Sequence, residues 1–218
     1  MKTAAQKAAA LDPSAGDRLP YAGHLDDHTV MTRGGDLIQM IQVDGVAFET
    51  ADSETLNHMA AVRDVVMRGI ANSNLMLYCH VIRRQVTAEL SGAQPDGFVR
   101  DLDDAWQQQL RGKKLYINDM VLMLVRRPAQ GKIGFFDRLT KWGNGTRNSA
   151  ERLADQTREL RELDAARTNL LSALSRYGPR LLGRYHDANG TCSEPLEILS
   201  ALYNGEMQPV LEPTGDAG

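Results

Sequence analysis

Two Gly-Lys pairs are the residues of this sequence that could bind a nucleotide phosphate. A phosphate-binding loop requires a glycine, four residues and then Gly-Lys-Ser or Gly-Lys-Thr, because backbone amides and the lysine must converge on the phosphate oxygens. Gly112-Lys113 has Gln107 where the first glycine belongs, and a second lysine follows it. Gly131-Lys132 has Arg126 at that position and is followed by isoleucine. Both pairs fail at two positions, so the sequence predicts no cofactor-binding residue.

Short clusters of histidine and aspartate are the other candidates for chemistry. Residues 24–28, HLDDH, hold two of each, but ligands spaced this closely need a specific turn and a further ligand to enclose a metal. We interpret them as a polar lead into the first strand. Asp101, Asp103 and Asp104 fall in the first turns of a predicted helix, where the helix dipole favours negative charge. The sequence therefore predicts no catalytic and no metal-binding residue.

The segment of residues 131–145, GKIGFFDRLTKWGNG, combines aromatic and basic side chains in a chain with only 6% aromatic residues. Residues 126–147 have a formal charge of +5, which leaves −8 for the rest of the chain and −3 in total. An anionic partner would therefore have to be bound by this segment. The candidate residues for contact with a partner or a membrane are Lys132, Ile133, Phe135, Phe136, Arg138, Leu139, Lys141 and Trp142.

Four interpretations of this segment remain open. A helix over residues 132–142 would have one apolar stripe with basic residues at its borders. We favour first a connection that folds back onto the domain core, since an exposed stripe this apolar lowers solubility. Docking to a partner subunit or a neighbouring protomer comes next, followed by contact with anionic lipid at a membrane surface. Binding of single-stranded nucleic acid ranks below these, because the rest of the chain is acidic.

Length and composition allow one sizeable domain. With 218 residues, 42% of them hydrophobic, the chain can bury a core, and its two cysteines are typical of free thiols. The longest apolar runs, LMLYCHVI and MVLMLV, have the length of strands, not the roughly 20 residues that span a bilayer. We predict a loose tail over residues 1–18, one domain over 19–210 with a connecting segment at 126–148, and a C-terminal tail over 211–218.

The hydrophobic pattern predicts the elements of this domain. HTVMT and LIQMIQV flank RGGD, whose adjacent glycines suit a tight hairpin turn. Apolar residues at three- and four-residue steps predict one helix that begins at Asp52 or Ser53 and a second that runs from Phe98 and is closed by Gly112. LMLYCHVIRR and LYINDMVLMLVRR are apolar on both faces, and we expect both to be central strands covered by helices.

Two further helices complete the pattern. Residues 149–177 predict a long amphipathic helix that packs on the sheet rather than in a coiled coil, because Arg167 interrupts the heptad series. Ser193, followed by Glu194-Pro195, is a good helix start, and Asn204-Gly205 ends that helix. A hairpin followed by helix-strand units predicts an α+β fold with a mixed sheet of about four or more strands and helices packed against it.

Five stretches, in this order, resemble the N-terminal region of a known family. They are LPYAGHLDDHTVMTRGGDLIQMIQVDG, LYCHVIRR, LYINDMVLMLVRRP, LSRYGPRLLG and CSEPLEILSALYNGEMQPV. The family is the large ATPase of type IV secretion and conjugation machines, the CagE/TrbE/VirB family, and the resemblance runs from about Leu19 to Val210. Each motif is a strand end or a helix cap rather than a chemical signature, so the resemblance depends on their common order.

The resemblance implies a non-catalytic N-terminal domain that docks the ATPase to other type IV secretion subunits at the inner membrane and to neighbouring protomers of an ATPase oligomer. ATP and Mg would be bound by a C-terminal RecA-like domain that powers pilus biogenesis and substrate transfer. The Walker motifs of that C-terminal domain match no position in this sequence, and we expect this sequence to be a piece of a longer protein. The implied location is cytoplasmic, peripheral to the bacterial inner membrane.

Overall fold

Three short strands form the first part of the structure, a computed structural model that describes residues 19–45, 51–70, 74–87, 97–128 and 149–212. β1 (Tyr21–His24) pairs with β2 (Val30–Thr32), and β2 pairs with β3 (Leu37–Val43), both antiparallel. In the turn between β2 and β3, Gly35 has a φ of +88°, which glycine adopts without strain. The hairpin predicted at RGGD is confirmed.

The main sheet continues with two long strands and one very short one. β4 (Leu75–Val86) pairs with β5 (Leu115–Arg126), and β5 also pairs with β3, so the strand order is β1-β2-β3-β5-β4. β6 (Arg180–Leu181) pairs with β3 on the side away from β5. The α+β class and a sheet of at least four strands are confirmed.

The sheet is antiparallel rather than mixed in every pairing of the described residues. We expected a mixed sheet because helix-strand units usually place parallel strands side by side. β3 and β4 do run parallel to each other, but β5 lies between them and is antiparallel to both. The helix-strand unit is therefore split by a strand that comes later in the sequence.

In the part of the chain that the structure describes, four helices accompany the sheet: α1 (Ser53–Ile70), α2 (Phe98–Arg111), α3 (Ser149–Ala173) and α4 (Glu194–Asn204). The carboxylate of Asp52 accepts hydrogen bonds from the backbone amide of Thr55 at 2.7 Å and from its hydroxyl at 3.1 Å, so Asp52 caps α1. A 3-10 turn (Ser175–Tyr177) follows α3. The predicted starts and ends of these helices agree with the structure to within a residue or a turn.

Both faces of the sheet are covered where β3 and β5 run side by side. On one face the buried residues come from β3, β5, α1 and α3, and include Ile41, Leu122 and Leu170. On the other face they come from β2, β3, β5 and α4, and include Met40 and Val121. Each fully buried side chain of this size contributes about 1.5–3 kcal/mol relative to its exposed state. The long helix packs on the sheet, as its broken heptad series predicted.

A second, two-stranded sheet lies beside α4. β7 (Arg184–Asp187) and β8 (Gly190–Ser193) form an antiparallel hairpin that leads directly into the helix. Leu211 forms a bridge with Cys192 of β8, and the amide of Glu212 donates to the carbonyl of Thr191 at 2.9 Å. Leu211 and Glu212, which the sequence assigned to the C-terminal tail, thus pair with β8.

Candidate interaction surface

Helix α2 presents its apolar side to solvent. Phe98, Val99, Leu102 and Trp106 are all exposed, Phe98 to 78% and Trp106 to 54%, and no residue of the helix is fully buried. Its half-buried residues are two polar ones and a leucine, namely Asp103, Gln107 and Leu110. We call Phe98, Val99, Leu102 and Trp106 the α2 face.

The sequence predicted helices packed against the sheet without assigning a face of this helix to the core, and the structure leaves the α2 face exposed. The periodicity correctly located the helix and its apolar stripe, because residues at three- and four-residue steps share one side of a helix. It could not show that the stripe faces away from the domain. An exposed apolar stripe with aromatic residues is a feature of docking surfaces rather than of a covered helix.

Helix α2 connects the outer halves of β4 and β5, which project beyond the rest of the sheet. β3 pairs with β5 only over Met120–Arg126, whereas β4 and β5 remain paired as far as Val86 and Leu115. We call residues 82–86, residues 115–119 and α2 the arm. Tyr116 and Ile117 are exposed there, in a strand whose other end is fully buried.

Two contacts stiffen the arm. The guanidinium of Arg84 donates to the carboxylate of Asp119 across the two strands, and the guanidinium of Arg83 lies over the ring of Tyr116, 4.7 Å from its centre. Exposed ion pairs and cation-π contacts each contribute up to about 1 kcal/mol. These contacts add to the continuous backbone pairing of the two strands of the arm.

The eight contact residues proposed from sequence lie outside the described residues. These contact residues are Lys132, Ile133, Phe135, Phe136, Arg138, Leu139, Lys141 and Trp142. The structure does describe the first two cations counted in the basic segment. Arg126 is buried and donates to the carboxylate of Glu162 on α3, whereas Arg127 is exposed. Arg126 is therefore not accessible to an anionic partner.

The Gly-Lys pair at 112–113 does not fit a bound nucleotide. Gly112 is the C-terminal cap of α2 and its amide donates to the carbonyl of Gln108, so the chain passes from a helix into a strand here. A phosphate is bound at the N-terminus of a helix, where amides are free and the dipole is positive. The residues present at this site have the opposite polarity, and the second pair, Gly131-Lys132, lies outside the described residues.

The HLDDH stretch forms a capped turn before β2. The carboxylate of Asp26 accepts from the amides of His28 at 2.8 Å and Thr29 at 2.7 Å. Burial alone raises the pKa of Asp26, but these bonds lower it more, and the pKa lies below its ordinary value. The sequence predicted a polar lead into the first strand, and the stretch does lead into β2, but its first residue ends β1, a strand that was not predicted.

His24 is buried beside the end of the chain that the structure describes. Its Nε2 lies 2.7 Å from the hydroxyl of Ser193 and 3.4 Å from the carboxylate of Glu212, and its Nδ1 lies 3.0 Å from the carbonyl of Asp26. Burial lowers the pKa of His24, because the charged imidazolium is poorly solvated there. Since Ser193 is also the N-cap of α4 and Glu212 is bonded to Arg184, these contacts serve packing.

The described residues hold no group of three or more side chains able to bind a metal ion, and no helix among them is long and apolar enough to cross a membrane. The described residues form an α+β domain with accessible surfaces.

Residues 28–133 match the model of the family described as "Type IV secretion system ATPase VirB4/TrbE, N-terminal domain". Over these residues the chain is similar to the N-terminal domain of that family.

Curated relatives named as type IV secretion system proteins are similar to this chain over most of its length. Type IV secretion system protein virB4 of Brucella suis is 30% identical over 203 residues, which are 90% of this chain and 24% of the relative. The protein of the same name from Bartonella henselae is 29% identical over 198 residues, 89% of this chain and 24% of the relative. Type IV secretion system protein PtlC of Bordetella pertussis is 28% identical over 204 residues, 90% and 24%.

This chain spans about a quarter of the length of these curated relatives. The resemblance inferred from the five sequence stretches is confirmed.

Proposed function

We propose that this chain is a non-catalytic docking domain of a type IV secretion ATPase. It attaches the ATPase to other secretion subunits at the inner membrane and to neighbouring protomers of an ATPase oligomer. The observation that carries the proposal is the α2 face, an apolar and aromatic stripe that the domain itself leaves exposed. Aromatic residues on exposed surfaces are typical anchors of protein interfaces.

The remainder of such a protein would supply the energy. We propose that ATP and Mg are bound by a part of the protein outside this chain, and that their hydrolysis powers pilus biogenesis and substrate transfer. The reversed polarity of the Gly112-Lys113 turn supports this division, because that turn is unsuited to phosphate. Within this chain the α2 face would then position the ATPase against its partners and would take no part in ATP hydrolysis.

A binding experiment with one matched control tests the docking role. The 218-residue chain is mixed with detergent-solubilised inner-membrane subunits of its own secretion system, and the affinity of the complex is measured. Leu102→Glu places a charge in the α2 face and is expected to weaken binding at least tenfold. Val65→Glu makes the same kind of change on α1, where Val65 is 70% exposed, and is expected to leave binding unchanged.

Self-association is tested with the same two variants. Sedimentation of the chain at increasing concentration reports whether protomers associate, and Leu102→Glu is expected to reduce that association while Val65→Glu does not. Equal binding and equal association by wild type and Leu102→Glu would show that the α2 face is not the docking surface.

We also propose a subsidiary contact between residues 132–142 and anionic lipid at the inner membrane, supported by their basic and apolar sequence pattern. The chain is expected to float with anionic vesicles at low salt, and the double variant Lys141→Ala and Trp142→Ala to float less. Preference for an oligonucleotide over vesicles across a salt series would instead favour the nucleic-acid alternative that uses residues 126–147.

A further inference from the structure

Strand β4 is a long sheet edge, and no described residue pairs with its outer side. It has twelve residues, Leu75–Val86, and pairs continuously with β5 without a register shift. In the sheet order it stands last, so within the described residues only β5 pairs with it. An edge of this length presents a row of backbone amides and carbonyls to solvent.

The outward-facing backbone groups can be assigned from one hydrogen bond. The amide of Arg127 donates to the carbonyl of Asn74 at 2.8 Å, so Asn74 points towards β5. Because backbone groups alternate between the two sides of a strand, the even-numbered residues of β4 point inward and the odd-numbered ones outward. The outward-facing residues without a backbone partner among the described residues are Leu77, Cys79, Val81, Arg83 and Gln85.

The two edges of the main sheet differ in how they are protected. β1, at the opposite edge, has four residues and an irregular register between Tyr21 and Gly23. β4 has neither a bulge nor a proline, and its first eight residues carry no charged side chain. Short length, bulges and charges are the usual means by which proteins prevent strand addition. β4 lacks them where Tyr78 and Val81 are exposed, Val81 to 57%.

The side chains along this edge define what an added strand would carry. On one face of the sheet Cys79, Val81 and Arg83 follow one another, so neighbouring positions would be apolar beside Val81 and acidic beside Arg83. Arg83 contacts the ring of Tyr116, whereas its neighbour Arg84 is already bonded to Asp119. Arg83 is therefore the cation of this edge that a carboxylate of a partner can approach.

We propose that β4 is a docking edge, on which an extended segment of a partner protein adds as a further strand. The segment is apolar beside Val81 and carries an acidic residue beside Arg83. Main-chain hydrogen bonds to the five outward-facing residues supply affinity, and the alternating side chains supply selectivity. The inference rests on the proposed docking role in requiring a partner protein, but it uses a surface separate from the α2 face.

A synthetic peptide tests the edge directly. The probe is acetyl-ETVTVTV-amide, whose glutamate and valines can lie on one face, beside Arg83, Val81 and Cys79. Amide hydrogen exchange, followed residue by residue by NMR, is expected to slow at least tenfold at Leu77, Cys79, Val81 and Arg83 on saturation with peptide. The amides of Tyr78 and His80, which face β5, are expected to be protected before peptide is added.

Three variants distinguish the contribution of the β4 backbone to peptide binding from the contribution of its side chains. Val81→Pro removes an outward-facing amide and no β4–β5 hydrogen bond, so it is expected to abolish peptide binding in a folded domain. Val81→Thr keeps the amide and is expected to retain binding. Arg83→Glu is expected to reverse the preference between the probe and its lysine counterpart, acetyl-KTVTVTV-amide, which wild type binds at least threefold more weakly.

Several outcomes would overturn the proposal. Absence of peptide protection in wild type excludes the edge as a strand acceptor, and equal binding of both peptides excludes the acidic partner. If the same amides are protected without peptide, in a dimer that Val81→Pro dissociates, the edge pairs with a second copy instead. Leu102→Glu is expected to leave peptide binding unchanged, so failure here and failure of the docking role of the α2 face are distinguishable.

Discussion

One strand, β5, passes through two environments. Its residues Val121–Arg126 are buried between α3 on one side and α4 on the other, while Tyr116 and Ile117 are exposed in the arm. Both halves are rich in apolar side chains, so their composition does not account for the difference. The presence of a neighbouring strand does, because β3 pairs with β5 only as far as Met120, and among the described residues only β4 pairs with residues 115–119.

The two halves of β5 show apolar residues in two settings, one buried and one exposed. In the core they hold α3 and α4 to the sheet, and their loss costs folding free energy. In the arm they are exposed, and the proposed docking role would account for them there. Variants that affect only stability should therefore lie at one end of β5, and variants that affect only binding at the other.

The largest expected effect is at the centre of the core. Leu170→Ala removes a side chain that is fully buried between α3 and the sheet, and is expected to lower the free energy of unfolding by about 2–5 kcal/mol. Urea denaturation followed by circular dichroism measures this. A loss below about 1 kcal/mol would mean that α3 does not close the core.

Ion pairs at the two ends of β5 give the next prediction. Glu162→Ala removes the partner of buried Arg126 and is expected to cost about 1.5–3 kcal/mol. Asp119→Ala removes the partner of Arg84 in the arm, a half-exposed guanidinium, and is expected to cost less than about 1 kcal/mol. Equal costs, measured by urea denaturation, would contradict the division of the strand.

A smaller effect is expected at the start of α4. Ser193→Ala removes the hydroxyl that accepts the amide of Leu196 at 3.2 Å and contacts His24. Loss of an N-cap costs about 1 kcal/mol. Thermal unfolding should show the loss in Ser193→Ala but not in Ser200→Ala, a matched serine on the same helix outside the cap. Similar melting temperatures for wild type and Ser193→Ala would assign the cap a negligible role.

The stability of the core should also depend on pH through His24. Burial lowers its pKa, so below about pH 6.5 the unfolded chain takes up a proton that the folded domain does not. Stability is therefore complete above that pH and falls as the pH decreases towards the lowered folded value. His24→Gln is expected to flatten the dependence between pH 7 and pH 5 in urea titrations, and an unchanged slope would contradict the assignment.

The smallest effect on folding is expected in the arm. Trp106→Ala removes a large side chain that is more than half exposed, and the free energy of unfolding is expected to change by less than about 0.5 kcal/mol. The same variant should weaken the proposed complex with inner-membrane subunits. A large loss of stability would show that Trp106 belongs to the core after all.

Local signals in the sequence were sufficient for most elements. RGGD predicted a hairpin turn because such a turn needs a residue at positive φ, which glycine adopts without strain. Ser193 with Pro195 predicted a helix start because serine suits the N-cap and proline suits the first turn of a helix. The hairpin of β7 and β8 was not predicted, although Asn189-Gly190 between two short runs is a turn signal. Its strands have only four residues each, too few for alternation to be evident.

Partners in the sheet could not be predicted from the same signals. LMLYCHVI and MVLMLV look alike, yet one belongs to an edge strand and the other to the central strand β5. An apolar run indicates that something covers it, but not whether the cover belongs to the same chain. The same limit applies to the α2 face. The surfaces that we consider functional are thus the places where sequence predicted burial and the structure shows exposure.

The insertion of β5 between β3 and β4 also affects the order in which the sheet can form during synthesis. During synthesis at about 5–20 residues per second, β3 emerges several seconds before the strand that it must pair with. Until Met120–Arg126 leave the ribosome, β3 and β4 have no common neighbour and the sheet cannot close. Pairing between segments so distant in sequence is slow. The nascent domain therefore passes through a stage in which β4 has no partner strand and β3 is paired only with β2, and a chaperone that protects these strands would have to act before β5 is complete.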